Sequence, residues 1–186
     1  MKKGGASMIE LQYFTEEDFD QLIGWFDSKR EYIQWGGGGF GYPLTRSKLH
    51  THIEGANEQD SKKLIYKVVE TDSGKAVGHI SLESIDRENR SARVCRVLVG
   101  EDSMRGKGVG EAMMNEILKV AFNQHKFHRV SLGVYDFNHS AIKCYEKAGF
   151  QREGLKRDVQ RYEEEYWSLW EMSILEDEWN KKVDIL

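Results

Sequence analysis

Arg105-Gly106-Lys107-Gly108-Val109-Gly110 is the stretch on which the reading of this chain turns. Residues 92–99, ARVCRVLV, precede it and read as a buried strand, apolar and rich in valine. Residues 106–123 follow as an amphipathic helix, with Val109, Met113, Ile117, Val120 and Ala121 along one face. A glycine-rich turn between strand and helix presents backbone N–H groups at a helix N-terminus. Those groups and the helix dipole favour a phosphate or pyrophosphate. Glycine permits close backbone approach and positive φ, and Arg105 and Lys107 add positive charge. A P-loop requires Ser or Thr after its lysine, and Lys107 is followed by Gly108. A dinucleotide fingerprint counted from Gly106 reaches Glu111 where it needs glycine, and it belongs after a first strand rather than a third. The pattern [QR]-x-x-G-x-[GA] is met by Arg105, Gly108 and Gly110. On these six residues alone, a plain tight turn stays open beside phosphate binding.

Outward from this turn the chain alternates unevenly between helix and strand. Upstream, LIYKVVE at 64–70 and AVGHISLESI at 76–85 form two strands around the turn T-D-S-G-K. With 92–99 they make an antiparallel meander. Thr15, with Asp18 three residues on, caps a first helix over 16–27. A short helix covers 28–34, and Thr45 caps a third that runs to about residue 58. Between them lies an unusual loop, WGGGGFGYP, at 35–43. Downstream come a strand at 129–135, a helix from Ser140 to Ala148 stopped by Gly149, and strands at 150–157 and 164–175. In the last, Trp167 and Leu169 face one way and Tyr166, Trp170 and Met172 the other. The order, helices first and then β, β, β, α, β, α, β, β, is a mixed α+β arrangement, not a repeat of βαβ units.

A second motif lies in the downstream helix: Asn138-His-Ser-Ala141-Ile-Lys-Cys-Tyr145-Glu-Lys-Ala-Gly149-Phe150. The glycine turn resembles the acyl-CoA-binding motif of the GNAT superfamily of N-acetyltransferases, and this run is similar to the family pattern N-x-x-A-x-x-x-Y-x-x-x-G-F. The two come in the family's order, on the elements the family requires. The resemblance covers roughly residues 9–176. The ending, Trp167 to Trp179, is similar to the branch of ribosomal-protein N-terminal and spermidine acetyltransferases. It implies a GNAT-like, mostly antiparallel central sheet, splayed at the acyl-CoA site, with helices on both faces. Residues 8–186 would form one acyl-CoA N-acyltransferase domain, preceded by a flexible extension or tag at 1–7.

The resemblance also implies roles. The pyrophosphate of acetyl-CoA would sit on the amides of Arg105, Gly106, Lys107, Gly108, Val109 and Gly110. The cofactor arm would pair with the end of the preceding strand at Leu98, Val99 and Gly100, where an amide would polarise the thioester carbonyl. Tyr145 would protonate the leaving thiolate. Asn138 would hold the cofactor arm or cap its helix. Where the family often carries proline ahead of the glycine turn, this chain has Asp102, which implies a less rigid approach. The family's strand glutamate, a base for the amine, has no heir in ARVCRVLV; Glu83 and His79 on the previous strand are the candidates. Trp35, Phe40 and Tyr42 would wall the acceptor side. The activity implied is direct acetyl transfer to a primary amine: a protein N-terminus, a polyamine, or another small amine. A non-catalytic acyl-CoA-binding or sensory module is the alternative, and a nucleotide-binding protein a third.

Bulk composition agrees with a globular chain. It has 186 residues, 39% hydrophobic and 31% charged, which argues against disorder or a fibrous repeat. Eighteen glycines and one proline, against averages of roughly 13 and 9 for this length, point to a few glycine-dependent loops. The net charge of −4 gives no general attraction to nucleic acid or an acidic membrane. No apolar window suits a membrane span or a secretory signal. Cys95 and Cys144 have neither zinc spacing nor a nearby partner, so no metal is expected and the thiols fit the cytoplasm. A homodimer is compatible with the resemblance.

Overall fold

The structure, a computed structural model, describes residues 7–185. The expected extension at 1–7 therefore lies, apart from Ser7, outside the described residues. Seven strands form one sheet: β1 (Ile9–Tyr13), β2 (Leu64–Glu70), β3 (Ala76–Asp86), β4 (Ser91–Val99), β5 (Arg129–Tyr135), β6 (Gln151–Tyr162) and β7 (Glu165–Leu175). Six α-helices accompany it: α1 (Phe19–Gly24), α2 (Lys29–Gly36), α3 (Arg46–Ile53), α4 (Val109–Leu118), α5 (His139–Ala148) and α6 (Glu176–Ile185). The strand order is β1-β2-β3-β4-β5-β7-β6, antiparallel throughout except for the parallel pair β4–β5. This is the mixed α+β arrangement expected from the order of elements, with a strand added at the front and a helix at the end.

Period-two alternation divides the side chains of β2 between two apolar clusters. On β2, Leu64, Tyr66 and Val68 join a large cluster with α4, α5 and α6, while Ile65 joins a smaller one with α1, α2 and α3. Helices therefore cover both faces, α4–α6 on one and α1–α3 on the other. Thr15 caps a 3₁₀ turn (Glu16–Asp18) ahead of α1, its N–H bonded to Asp18 at 2.8 Å. Thr45 caps α3 by accepting from the Lys48 N–H.

Strand β4 is irregular in two ways. Its pairing with β5 runs from Ser91↔Arg129 to Val94↔Leu132 and stops there, although both strands continue. The sheet thus splays after Val94. The pairing with β3 also shifts register between His79↔Leu98 and Ser81↔Cys95, so two β4 residues oppose Ile80. This is a β-bulge, and Arg96 within it has φ +53. One inserted residue reverses the alternation beyond it. Ala92 and Val94 face the large cluster before the bulge, and Val97 and Val99 face it afterwards. Leu98 is turned to the smaller cluster.

The structure corrects several element boundaries. β1 and α6 were not anticipated. Helix α4 starts at Val109 rather than 106, because Gly106 and Gly108 hold left-handed backbone, and it runs on as a π turn (Lys119–Gln124). The 16–27 helix is a 3₁₀ turn plus the short α1, and α3 ends at Ile53. The expected glycine loop is partly helical: α2 continues through Trp35 to Gly36, and a 3₁₀ turn takes Gly37–Gly39.

Candidate active site

A cavity of about 880 Å³ opens where β4 and β5 part. Its lining comes from both sides of the sheet. From the α4–α5 side it takes Arg105, Gly106, Gly108, Val109, Gly110, Asn138 and Tyr145. From the α1–α2 side it takes Trp25, Phe26, Glu31, Gln34 and Trp35. Every β4 residue from Arg93 to Val99 borders it, as do Gly133, Val134 and Tyr135 of β5.

The glycine turn meets the requirements of an anion cradle. Gly106 and Gly108 have φ of +74 and +83, a region that side-chain-bearing residues rarely adopt. A Cβ at either would meet nothing within 4 Å, so the turn borders open space. The first intrahelical bond of α4 is Ala112 N–H to Gly108 O at 3.0 Å. The amides of Val109, Gly110 and Glu111 precede it and are left without a partner in the helix. The approach to the turn runs through Asp102. A 3₁₀ turn (Asp102–Met104) forms there, and Asp102 pairs with Arg105 at 2.8 Å. Arg105 also donates through Nε to Val99 O at 3.3 Å. Lys107 is exposed and outside the cavity lining.

Tyr145 is buried on α5, and burial raises its phenol above the ordinary value. The proton is therefore present on the phenol, and burial also makes it a weaker acid than a phenol in water. Asn138 caps α5, its Oδ1 accepting from the Ala141 N–H at 3.3 Å, and it also borders the cavity. Cys144 and Cys95 line the cavity too, and burial pushes both thiols up, Cys95 to about 11, away from nucleophilic character.

On the α1–α2 side, Trp35 is buried and borders the cavity. Its ring stacks on Phe40 at 6.0 Å between centroids, and Phe40 lies behind it, outside the lining. Tyr42 is half exposed against Tyr32 and also outside. Gly100 lies under the Trp25 ring rather than on the cavity; a Cβ there would fall 2.1 Å from Trp25 Cδ2. Glu83 is ion-paired with Arg96 and accepts from Ser81 Oγ, off the cavity. His79 is fully buried; burial lowers its ring to about 4, and its Nε2 has no partner among the described residues.

Sequence reasoning missed Trp25, Phe26, Glu31, Gln34, Arg93 and Arg96 in this lining. The i, i+3, i+4 spacing of Glu31, Gln34 and Trp35 on α2 was the available signal. Nothing in the sequence showed which face that stripe would meet.

Residues 19–150 match the sequence profile of the Acetyltransferase (GNAT) family. The chain belongs to the GNAT family. This GNAT protein is an acetyl-CoA-dependent N-acetyltransferase, in keeping with its named relatives. It is 25% identical to an aminoglycoside N(6')-acetyltransferase type 1 of Klebsiella pneumoniae over 78% of this chain and 75% of the relative. It is 29% identical to an SPbeta prophage-derived N-acetyltransferase of Bacillus subtilis over 72% and 73% of the two chains. Among solved structures, a spermidine N-acetyltransferase from Vibrio cholerae, in complex with CoA and spermine, superposes with a TM-score of 0.80. That alignment is 20% identical and covers 94% of the GNAT chain and 99% of the neighbour, a likeness of fold. No helix among the described residues of the GNAT protein is long and apolar enough to cross a membrane.

Proposed function

We propose that the protein transfers an acetyl group from acetyl-CoA to the primary amine of a small molecule by direct attack. The observation that carries this reading is the single cavity lined from both faces of the splayed sheet. The glycine-turn amides would take the pyrophosphate, and the unpaired edge of β4 beyond Val94 would take the cofactor arm. An amide of that edge would stabilise the oxyanion formed when the amine attacks the thioester carbon. As the C–S bond breaks, Tyr145 would give its proton to the departing sulfur.

The attacking amine must shed a proton. Glu83, expected on the sequence, is engaged by Arg96. Glu31 lines the acceptor half of the cavity; its Oε2 accepts from the Asp27 N–H and Ser28 Oγ at 3.3 Å, and we place the proton on the other oxygen, directly or through water. The aromatic wall of Trp25, Phe26 and Trp35, with this carboxylate, suits a cationic small amine. The named relatives, which include aminoglycoside and spermidine acetyltransferases, support that class.

A panel of polyamines, aminoglycosides, amino acids and short peptides, with release of free CoA thiol as the readout, tests the proposal. Thiol release with one or more small amines is expected, and none with any of them overturns the reading in favour of an acyl-CoA-binding module. With the best acceptor, Tyr145→Phe should lower kcat by about a hundredfold while leaving CoA affinity within threefold. Glu31→Gln should lower kcat/KM at neutral pH, with the deficit shrinking as the pH rises.

A further inference from the structure

The bulge that splays β4 is gripped from two other elements. Trp35 on α2 donates through Nε1 to the Arg96 carbonyl at 2.9 Å. His79 on β3 reaches the same carbonyl through Nδ1 at 3.0 Å. A carbonyl only accepts, so the His79 proton sits on Nδ1. The Arg96 guanidinium pairs with Glu83 and lies 4.5 Å over the Phe40 ring. Ser81, two residues along β3 from His79, holds its single Oγ–H within reach of two acceptors, Glu83 at 2.7 Å and the Cys95 carbonyl at 3.1 Å. A bulge removes backbone groups from the ladder, and here side chains from α2 and β3 replace the lost partners.

We propose that Trp35, His79 and Glu83 are positioning residues that fix the Arg96 bulge. By doing so they set the direction of the β4 backbone against which the thioester carbonyl is polarised. The proposal rests on the acetyl-transfer reading of the same cavity. It gives Trp35 a task besides walling the acceptor, and gives His79 and Glu83 one other than proton abstraction. An indole N–H and an imidazole N–H, from rings packed edge to face 5.5 Å apart on α2 and β3, converge on one carbonyl and set both its position and its tilt. Such a bracket acts on the transition state, where the carbonyl becomes an oxyanion, more than on ground-state binding.

Three variants test this: Trp35→Phe, which keeps ring packing and removes the N–H; His79→Leu, which removes the donor; and His79→Asn, whose amide nitrogen stands where Nδ1 did. Trp35→Phe and His79→Leu should lower kcat at least tenfold, with acceptor KM and CoA affinity within threefold of the parent. His79→Asn should regain most of what His79→Leu loses. Hydrogen exchange supplies a readout independent of turnover. The amides of residues 95–98 should exchange at least tenfold faster in Trp35→Phe and His79→Leu, while those of β6 and β7 stay unchanged. Unaltered exchange at 95–98 in both variants overturns the bracket. So does an unchanged kcat with a raised acceptor KM in Trp35→Phe, the mark of a wall alone. A shifted pH profile with no rescue in His79→Asn overturns it too, the mark of a base. If the parent protein acetylates no amine, the transfer reading fails by itself and hydrogen exchange alone decides the bracket.

Discussion

Gly108 shows how one residue serves a site without a side chain. Its φ of +83 and the open space around it make it both the hinge of the turn and the N-cap of α4. Gly108→Glu should cost about 1–2 kcal/mol of stability through left-handed backbone and lower CoA affinity at least a hundredfold, because an anion then faces the pyrophosphate. Calorimetric titration with CoA checks this, and retained affinity would remove the turn from the cofactor site. A second residue-scale expectation concerns acid. Burial holds His79 down to about 4 and His52, packed beside it, down to about 2. Unfolded, both titrate near 6.5, so between that pH and the folded values the unfolded chain binds more protons. Stability contributed by these two neutral rings is therefore complete above about pH 6.5 and is lost as pH falls through the window. Urea unfolding at pH 7.5 and pH 5 should show a drop of the order of 2–4 kcal/mol from the pair. In His52→Leu about half of that drop should disappear.

At the scale of elements, the hairpin of β6 and β7 is tied to α2 through one guanidinium. Arg30 lies 4.8 Å over the Trp167 ring, 5.4 Å over Phe137 and 5.5 Å over Tyr162, and it pairs with Glu165 at 3.0 Å. If α2 carries the proposed acceptor wall, Arg30→Ala should raise the acceptor KM several-fold and leave CoA affinity unchanged. The stability cost should be about 1 kcal/mol, since the pair is part exposed. Steady-state kinetics in each substrate separates the two effects. Elements with strong local signals were legible beforehand. The strands at 64–70 and 129–135 have the boundaries read from their β-branched runs, and Asn138 caps its helix, one of the two roles its motif implied. The β4 bulge was not legible, because an inserted residue in an apolar run such as ARVCRVLV leaves no mark in composition. It appears only when β3 is laid alongside. Trp35 stood in the sequence as the start of a glycine loop, and its burial in α2 depends on Phe26, Tyr32 and Phe40, which tertiary packing brings to it. β1 carried a legible signal that was passed over: Ile9, Leu11 and Tyr13 alternate with Glu10 and Gln12, the period of a half-buried strand. α6 escaped because one buried tryptophan, Trp179, makes no period.

At the scale of the whole molecule, the sheet separates two halves that the sequence could only name in turn. The motif pair at 105–110 and 138–150 pointed to the proposed cofactor half, since backbone amides and a tyrosine follow from local sequence. The proposed acceptor half is assembled from α1, α2 and the far side of β4, which meet only in the folded chain. Because the cavity runs through the gap between β4 and β5, donor and acceptor would reach the reacting carbon from opposite faces and occupy it together. The splay thus has a kinetic signature. Initial-velocity lines for the two substrates should intersect rather than run parallel. Free CoA should compete with acetyl-CoA but not with the amine. A cleft on one face would make each substrate an obstacle to the other, whereas an opening through the sheet lets either be exchanged while its partner stays bound.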